Sequence, residues 1–168
     1  MPEILEGLRK AVSLDDTPPI TELISTNVVP FIVDLLRPEF YQYEKLMVEA
    51  SWIATNICSR EPEHINCLVG LDIIPRAIGL LDHQNETVKE NGLWILANLA
   101  GESLVYRDDI LKRGVVARLE YLLNTLPPAT GPSETVATTV WLMANLCRGK
   151  PFPNFPDVRN FFFLEFYR

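Results

Sequence analysis

Three pairs of tryptophan and asparagine constrain the fold of this chain more than any other feature of its sequence. The pattern Trp-x-x-x-Asn occurs at residues 52–56, 94–98 and 141–145, each time within an apolar stretch, and it contains all 3 tryptophans of the chain. The second pair follows the first by 42 residues, and the third follows the second by 47. Self-similarity at such a period is typical of stacked helical repeats, in which neighbouring units bury each other's apolar faces.

In each pair, tryptophan and asparagine share one face of a helix. A helix turns by about 100° per residue, so residues four apart lie nearly above one another. A separate face of small apolar residues suits close packing, and its members are Ala50, Ile53, Ala54 and Ile57; Ile95, Ala97 and Leu99; and Leu142, Ala144 and Leu146. We therefore predict that the pairs point away from the core and form a surface ladder. The alternative is that the tryptophans are ordinary core residues.

Helix breakers and apolar spacing divide the chain into units of three helices. After a first helix over 3–14, the predicted helices are 20–25, 28–36 and 44–58; 62–71, 73–81 and 86–100; and 103–113, 115–123 and a long helix up to Cys147. Asn27, Asp72 and Gly114 precede the second helix of each unit, and these residue types tolerate positive φ best, so we predict a left-handed corner at each. After the loop 126–132, Ser133 or Thr130 is the expected N-cap of the last helix.

Three helices in about 42 residues predict an armadillo repeat rather than a two-helix HEAT unit. We expect an all-α, right-handed superhelix (an α-solenoid) that forms a single domain over 1–168. It contains about three full repeats (15–58, 62–101 and 103–148) and partial repeats at 1–14 and 151–168. The third helices line one concave face, which carries the ladder. The apolar segment 161–167 stops in mid-pattern, so we expect the chain to be a fragment or a truncated product.

Composition narrows the range of partners. The net charge of −7, from 15 basic and 22 acidic residues, argues against general nucleic-acid binding and suits a basic partner. Three cysteines, Cys58, Cys67 and Cys147, have no framework spacing, so we expect reduced thiols and an intracellular setting. We expect no signal peptide, because the first residues lack a basic region followed by an apolar run. We also expect no membrane span, because no apolar run reaches the roughly 20 residues that cross a bilayer.

The segments 49–57, 94–102 and 141–151, the last with Asn-Leu-Cys-Arg-Gly-Lys, resemble importin alpha, the armadillo adaptor family that reads nuclear localisation signals. The similarity runs from about Arg9 to the end of the chain. The resemblance implies a nuclear import adaptor in cytoplasm and nucleus, with the family's major peptide site. We expect the N-terminal segment that recruits the transport receptor to be absent, together with the later repeats that carry the minor site and the export-factor surface.

A ladder of this kind selects basic peptides. Two indoles one repeat apart form a slot for a lysine, whose methylenes lie against the rings while its charge stays at the rim. An asparagine amide can hold both the N–H and the C=O of an extended peptide. We therefore predict binding of the Lys/Arg-rich localisation signals of cargo proteins. The predicted peptide-binding residues are Trp52, Asn56, Ser59, Asn91, Trp94, Asn98, Glu102, Trp141 and Asn145.

The resemblance also indicates departures in the pocket for the critical lysine. Glu102 stands where the family has an aspartate that pairs with this lysine, so the carboxylate lies one methylene further out. Ser59 matches a serine, and Asn91 replaces a glutamine. Arg60 and Ile65 stand where the family has glycine and threonine. We hypothesise that Arg60 partly occupies the pocket, pairs with Glu102 and weakens the binding of a single lysine.

Other chemistries find less support. His64 and Cys67, with Cys58 and His83, match no zinc spacing, so ordinary packing is the better interpretation. Residues 107–109 (Arg-Asp-Asp) are interpreted as a solvated helix face rather than a catalytic pair. No set of groups converges on a reaction, so we expect no enzyme, cofactor or metal, and no nucleic-acid or membrane partner. The alternative function is an armadillo-type interaction module, truncated or divergent, without working signal binding.

Overall fold

The computed structural model describes residues 1–14, 17–125 and 133–158, and within these ranges the regular structure is entirely helical. The helices are α1 (Pro2–Val12), α2 (Ile20–Ser25), α3 (Val29–Asp34), α4 (Glu44–Cys58), α5 (Pro62–Val69), α6 (Ile73–Leu80), α7 (Glu86–Glu102), α8 (Leu104–Lys112), α9 (Val115–Thr125), α10 (Glu134–Cys147) and α11 (Phe155–Val158), with a 3-10 turn at Pro38–Phe40. The predicted helix boundaries lie within two residues of these. The chain forms two compact units, Met1–Ile95 and Leu96–Arg168, so their boundary falls within α7.

In the first unit, α4 packs against α1, α3 and α5, and α5 also packs against α2 and α6. The small apolar face predicted for α4 is its core face, because Ala50, Ile53, Ala54 and Ile57 are fully buried. Gly92 brings α7 close to α6, since a Cβ at this position would lie 3.0 Å from the Ala77 carbonyl oxygen.

The three predicted left-handed corners are confirmed. Asn27 has φ 58°, Asp72 has φ 61° and Gly114 has φ 75°. Each residue reverses the chain between a short helix and the helix that follows it. Asparagine, aspartate and glycine suit these positions because a larger side chain in the left-handed region meets its own backbone.

In the second unit, α8, α9 and α10 pack against one another. Ser133 is the N-cap of α10, and its hydroxyl accepts a hydrogen bond from the backbone N–H of Val136 at 3.4 Å; the alternative cap, Thr130, lies outside the described residues. The prediction for α10 is wrong at two positions, Ala144 on the expected core face and Asn145 on the face expected to point outward. Ala144 is exposed and Asn145 is buried, because the core face of α10 is turned toward Asn145.

Arg107, which the sequence predicts on a solvated helix face, is instead 1% exposed. The prediction fails because this position, seven residues before the corner at Gly114, is inward-facing: Ile20 and Ile65 lie seven residues before the other two corners and are also buried. The Arg107 guanidinium donates to the backbone oxygens of Arg148 at 2.6 Å and Pro151 at 3.1 Å. It therefore holds the turn that follows α10.

Among the residues that the structure describes, no helix combines the length and the apolar character needed to cross a membrane.

Candidate functional site

The three indoles lie on three different long helices, α4, α7 and α10. Trp52 is 39% exposed and Trp141 is 38% exposed, so neither is a core residue. Trp94 is half-buried. At each position, the residue that follows the tryptophan is fully buried, namely Ile53, Ile95 or Leu142. Each long helix therefore carries its tryptophan at or beyond the edge of the core, and the surface ladder stays a prediction.

Two side chains that were not predicted as site residues contact the first pair, Trp52 and Asn56. The Arg9 guanidinium carbon lies 4.6 Å from the centre of the Trp52 ring, and its Nε donates to Oε2 of Glu49 at 2.6 Å. The amide of Asn56 donates to the Ser13 hydroxyl at 2.9 Å. A signal was available in the sequence, because Arg9 and Ser13 each lie 43 residues before the side chain they contact, which is about one repeat.

Asn91, predicted to bind peptide, is buried, and its amide nitrogen donates to the Ser51 hydroxyl at 2.9 Å. The Thr55 hydroxyl lies 3.3 Å from the backbone oxygen of Asn91, to which it donates. These bonds join α4 to α7 within the first unit. The amide nitrogen of Asn91 is therefore already engaged.

The asparagines of the second and third pairs differ in their partners. The Nδ2 atom of Asn98 is buried and has no hydrogen-bond partner in the part of the chain that the structure describes. Asn145 is also buried, but its Nδ2 donates to the Ala97 backbone oxygen at 2.9 Å. Buried amides are nearly always paired, so Asn98 is the unusual asparagine of the three Trp-x-x-x-Asn segments.

The remaining predicted site residues lie at helix ends or in the core. Ser59 follows α4, and its hydroxyl donates to the Asn56 backbone oxygen at 3.0 Å. Glu102 is the last residue of α7 and is exposed, as is Arg60. Ile65 is a buried residue of α5. The pairing of Arg60 with Glu102 stays a prediction.

The thiols and histidines form no recognisable site. Across the described ranges, no three His, Cys, Asp or Glu side chains lie where they would hold a metal ion. Nε2 of His64 lies 3.0 Å from the Thr21 hydroxyl. Burial raises the pKa of the Cys58 thiol to about 12, and burial also raises the pKa of Cys147, an effect that the charge of Arg107 partly offsets.

Comparison with known proteins gives relatives along nearly the whole chain. No protein-family model matches. Importin subunit alpha-1b of Oryza sativa subsp. japonica is 36% identical over 157 residues, which cover 94% of this chain and 28% of that protein. Importin subunit alpha-2 of Arabidopsis thaliana is also 36% identical over 157 residues, with the same coverage. The chain is a homologue of the importin alpha subunits.

Solved structures agree with the armadillo fold expected of an importin alpha homologue. A designed armadillo repeat protein in complex with the peptide (KR)4 has a TM-score of 0.76 and 24% identity, and the match covers 95% of this chain and 62% of that one. Computationally designed armadillo repeat proteins for modular peptide recognition give a TM-score of 0.77 at 21% identity, with 96% and 63% covered. The chain thus has an armadillo fold and spans 28% of the length of the importin relatives named above.

Proposed function

We propose that this chain binds extended, Lys/Arg-rich peptides of the nuclear-localisation type and so acts as the cargo-binding part of a nuclear import adaptor that moves between cytoplasm and nucleus. The observation that carries the proposal is the set of indoles at the edge of the core, Trp52, Trp94 and Trp141, on successive long helices. The kinship with importin alpha subunits and the (KR)4 peptide named for one designed neighbour support it.

The indoles supply the selectivity for basic side chains. The face of an indole attracts an ammonium or guanidinium group, and each contact contributes about 0.5–2 kcal/mol, depending on how far the charge is desolvated. The aliphatic stem of lysine or arginine packs on the same ring. The net charge of −7 attracts a basic peptide at long range and raises its association rate.

Asn98 supplies the contact to the peptide backbone. Its amide donor has no partner among the described residues, and a buried donor left unpaired costs about 1–3 kcal/mol. A carbonyl oxygen of an extended peptide can accept this bond after a small side-chain movement. Binding then removes a cost that the free chain carries.

A second candidate is an armadillo-type interaction module that does not bind localisation signals. The observation that favours it is the state of the other ladder amides. Asn56, Asn91 and Asn145 all donate to groups within the chain. A peptide has to displace these partners or use the remaining amide oxygens.

The deciding experiment is titration of a fluorescent Lys/Arg-rich peptide against the wild-type chain and Trp94→Ala, at two salt concentrations. We expect micromolar or tighter binding that weakens with salt and falls about 5- to 30-fold in the variant, which corresponds to the loss of about 1–2 kcal/mol. Tyr121→Ala removes an exposed aromatic side chain outside the ladder and serves as the matched control. If a wild-type chain with the expected helical circular dichroism does not bind, the interaction module is the better description.

A further inference from the structure

Arg9 and Ser13 occupy the ladder positions one repeat before the first tryptophan–asparagine pair. They are four residues apart, as tryptophan and asparagine are, and each precedes its contact in the first pair by 43 residues. The periods between the three pairs are 42 and 47 residues. Trp52 is therefore the first indole of the series, and Arg9 occupies the equivalent position one repeat earlier.

The Arg9 guanidinium lies in a site that has the features of a basic subsite. One side is the Trp52 ring, whose centre is 4.6 Å from the guanidinium carbon. Another is the carboxylate of Glu49, which accepts from Nε at 2.6 Å. The side chain of Glu49 is 9% exposed and that of Arg9 is 18% exposed. A buried carboxylate needs a partner, and a planar guanidinium suits both an aromatic ring and a carboxylate.

We propose that Trp52 and Glu49 form a guanidinium-binding subsite, and that Arg9 occupies it from within the chain, so that an incoming peptide cannot place a basic residue there. This inference rests on the proposed function and specifies which part of the ladder a peptide can use. A tethered group competes at an effective concentration of millimolar or more. A peptide arginine at micromolar concentration therefore does not displace Arg9 from the Trp52–Glu49 subsite.

Removal of Arg9 opens the subsite and leaves Glu49 without its partner. Lys10 provides a matched control, because it is the next residue of α1 and its ammonium pairs with Glu6 at 2.7 Å, a bond within one exposed helix face. Arg9→Ala and Lys10→Ala change the net charge equally. A difference between the two variants therefore reports on the Trp52–Glu49 subsite and not on long-range electrostatics.

The first test uses a small cation and requires no peptide binding. Thermal unfolding of the full chain is followed with ethylguanidinium, and with ethylammonium as the comparison cation. At about five times its dissociation constant, ethylguanidinium is expected to raise the midpoint of Arg9→Ala by about 2–4 °C relative to Lys10→Ala. An equal response of the two variants overturns the proposed subsite. If Arg9→Ala does not fold, Arg9→Met retains the packing of the stem and is used instead.

The second test measures the affinity of the (KR)4 peptide for the same variants. Arg9→Ala is expected to bind at least about 5-fold more tightly than Lys10→Ala, since one cation–aromatic contact becomes available. The gain should disappear when Trp52→Ala is added. Equal affinities overturn the exclusion by Arg9. If no variant binds peptide but ethylguanidinium stabilises Arg9→Ala, the proposed function fails and the guanidinium subsite stands.

Discussion

The first and third tryptophan–asparagine pairs have the same sequence pattern and different surroundings. Both continue to a cysteine two residues after the asparagine, at Cys58 and Cys147. Asn56 donates to a side-chain hydroxyl at the exposed surface, whereas Asn145 donates to a backbone carbonyl in a buried position. In both, the partner comes from about one repeat earlier in the chain. The motif alone therefore does not set the role of its asparagine, because a residue of the preceding repeat supplies the partner.

Helices α4 and α10 also differ on a second face, which carries Thr55 and Cys58 on α4 and Ala144 and Cys147 on α10. On α4, Thr55 donates to the Asn91 backbone oxygen, and the Cys58 thiol lies 3.8 Å from the Ile95 backbone oxygen, so α7 covers this face. The matching positions on α10, Ala144 and Cys147, are exposed and half-buried. Within the described residues, α1 and α7 both pack against α4, and α10 lacks a cover on this second face.

The largest effect that sharpens this comparison is expected at Arg107, which holds the turn after α10. Arg107→Ala removes donors to the backbone oxygens of Arg148 and Pro151. At about 1.5–3 kcal/mol for each bond from a charged donor, the free energy of unfolding should fall by about 3–6 kcal/mol. Urea denaturation measures the change. Arg113→Ala breaks an exposed ion pair with Asp109 at the end of α8 and should change the free energy of unfolding by about 0.5 kcal/mol or less. A similar loss in both variants would contradict the assigned role of Arg107.

A second comparison uses the two equivalent cysteines. Only the thiolate reacts with a disulfide reagent. The pKa of Cys58 is about 12, against 9.0 for an ordinary thiol, so we expect the folded chain to be labelled at Cys58 about a thousandfold more slowly than an ordinary thiol. Cys147 should react faster because it is half-buried. Labelling of Cys58→Ser and Cys147→Ser at pH 8 shows which kinetic phase belongs to which thiol. Equal labelling rates for Cys58 and Cys147 would contradict the difference in their burial.

The raised pKa of Cys58 also affects the stability of the fold at alkaline pH. The unfolded Cys58 thiol loses its proton near pH 9, while the folded thiol keeps it up to about pH 12. The unfolded state therefore binds fewer protons in this range, and the contribution of Cys58 to the free energy of unfolding falls by about 1.4 kcal/mol per pH unit. Cys58→Ser should remove this part of the pH dependence.

The smallest effects are expected from the asparagines themselves. Asn145→Ala breaks a buried hydrogen bond and should lower the free energy of unfolding by about 1–2 kcal/mol, whereas Asn56→Ala breaks an exposed one and should cost about 0.5 kcal/mol or less. Asn98→Ala removes a buried donor that has no partner, so it should be neutral or stabilising. Thermal unfolding of the three variants gives this order. A reversed order of Asn145→Ala and Asn56→Ala would break the comparison between the first and third pairs.

The fold was predictable because backbone rules act locally. The corners at Asn27, Asp72 and Gly114 and the N-cap at Ser133 follow from residue type and spacing. The repeat period then fixes the armadillo architecture.

Contacts between repeats can be predicted only by matching positions one repeat apart even where the residue types at those positions differ. Arg9 and Ser13 were missed because they do not look like tryptophan and asparagine, although they stand at the same repeat positions. Arg107 was missed because a charged residue replaces the isoleucine found at 20 and 65, and no local pattern gives it buried carbonyl partners. Whether the amide of Asn98 has a hydrogen-bond partner depends on interatomic distances, which the sequence does not specify.

The left-handed corners bear on how freely such a chain can change during evolution. An L-residue with a side chain pays about 1–2 kcal/mol in this conformation, and asparagine, aspartate and glycine reduce that penalty in different ways. A Cβ on Gly114 would meet no atom within 4 Å, so packing does not restrict that corner. Mutational drift among these three residue types can therefore proceed there while the path of the backbone stays the same.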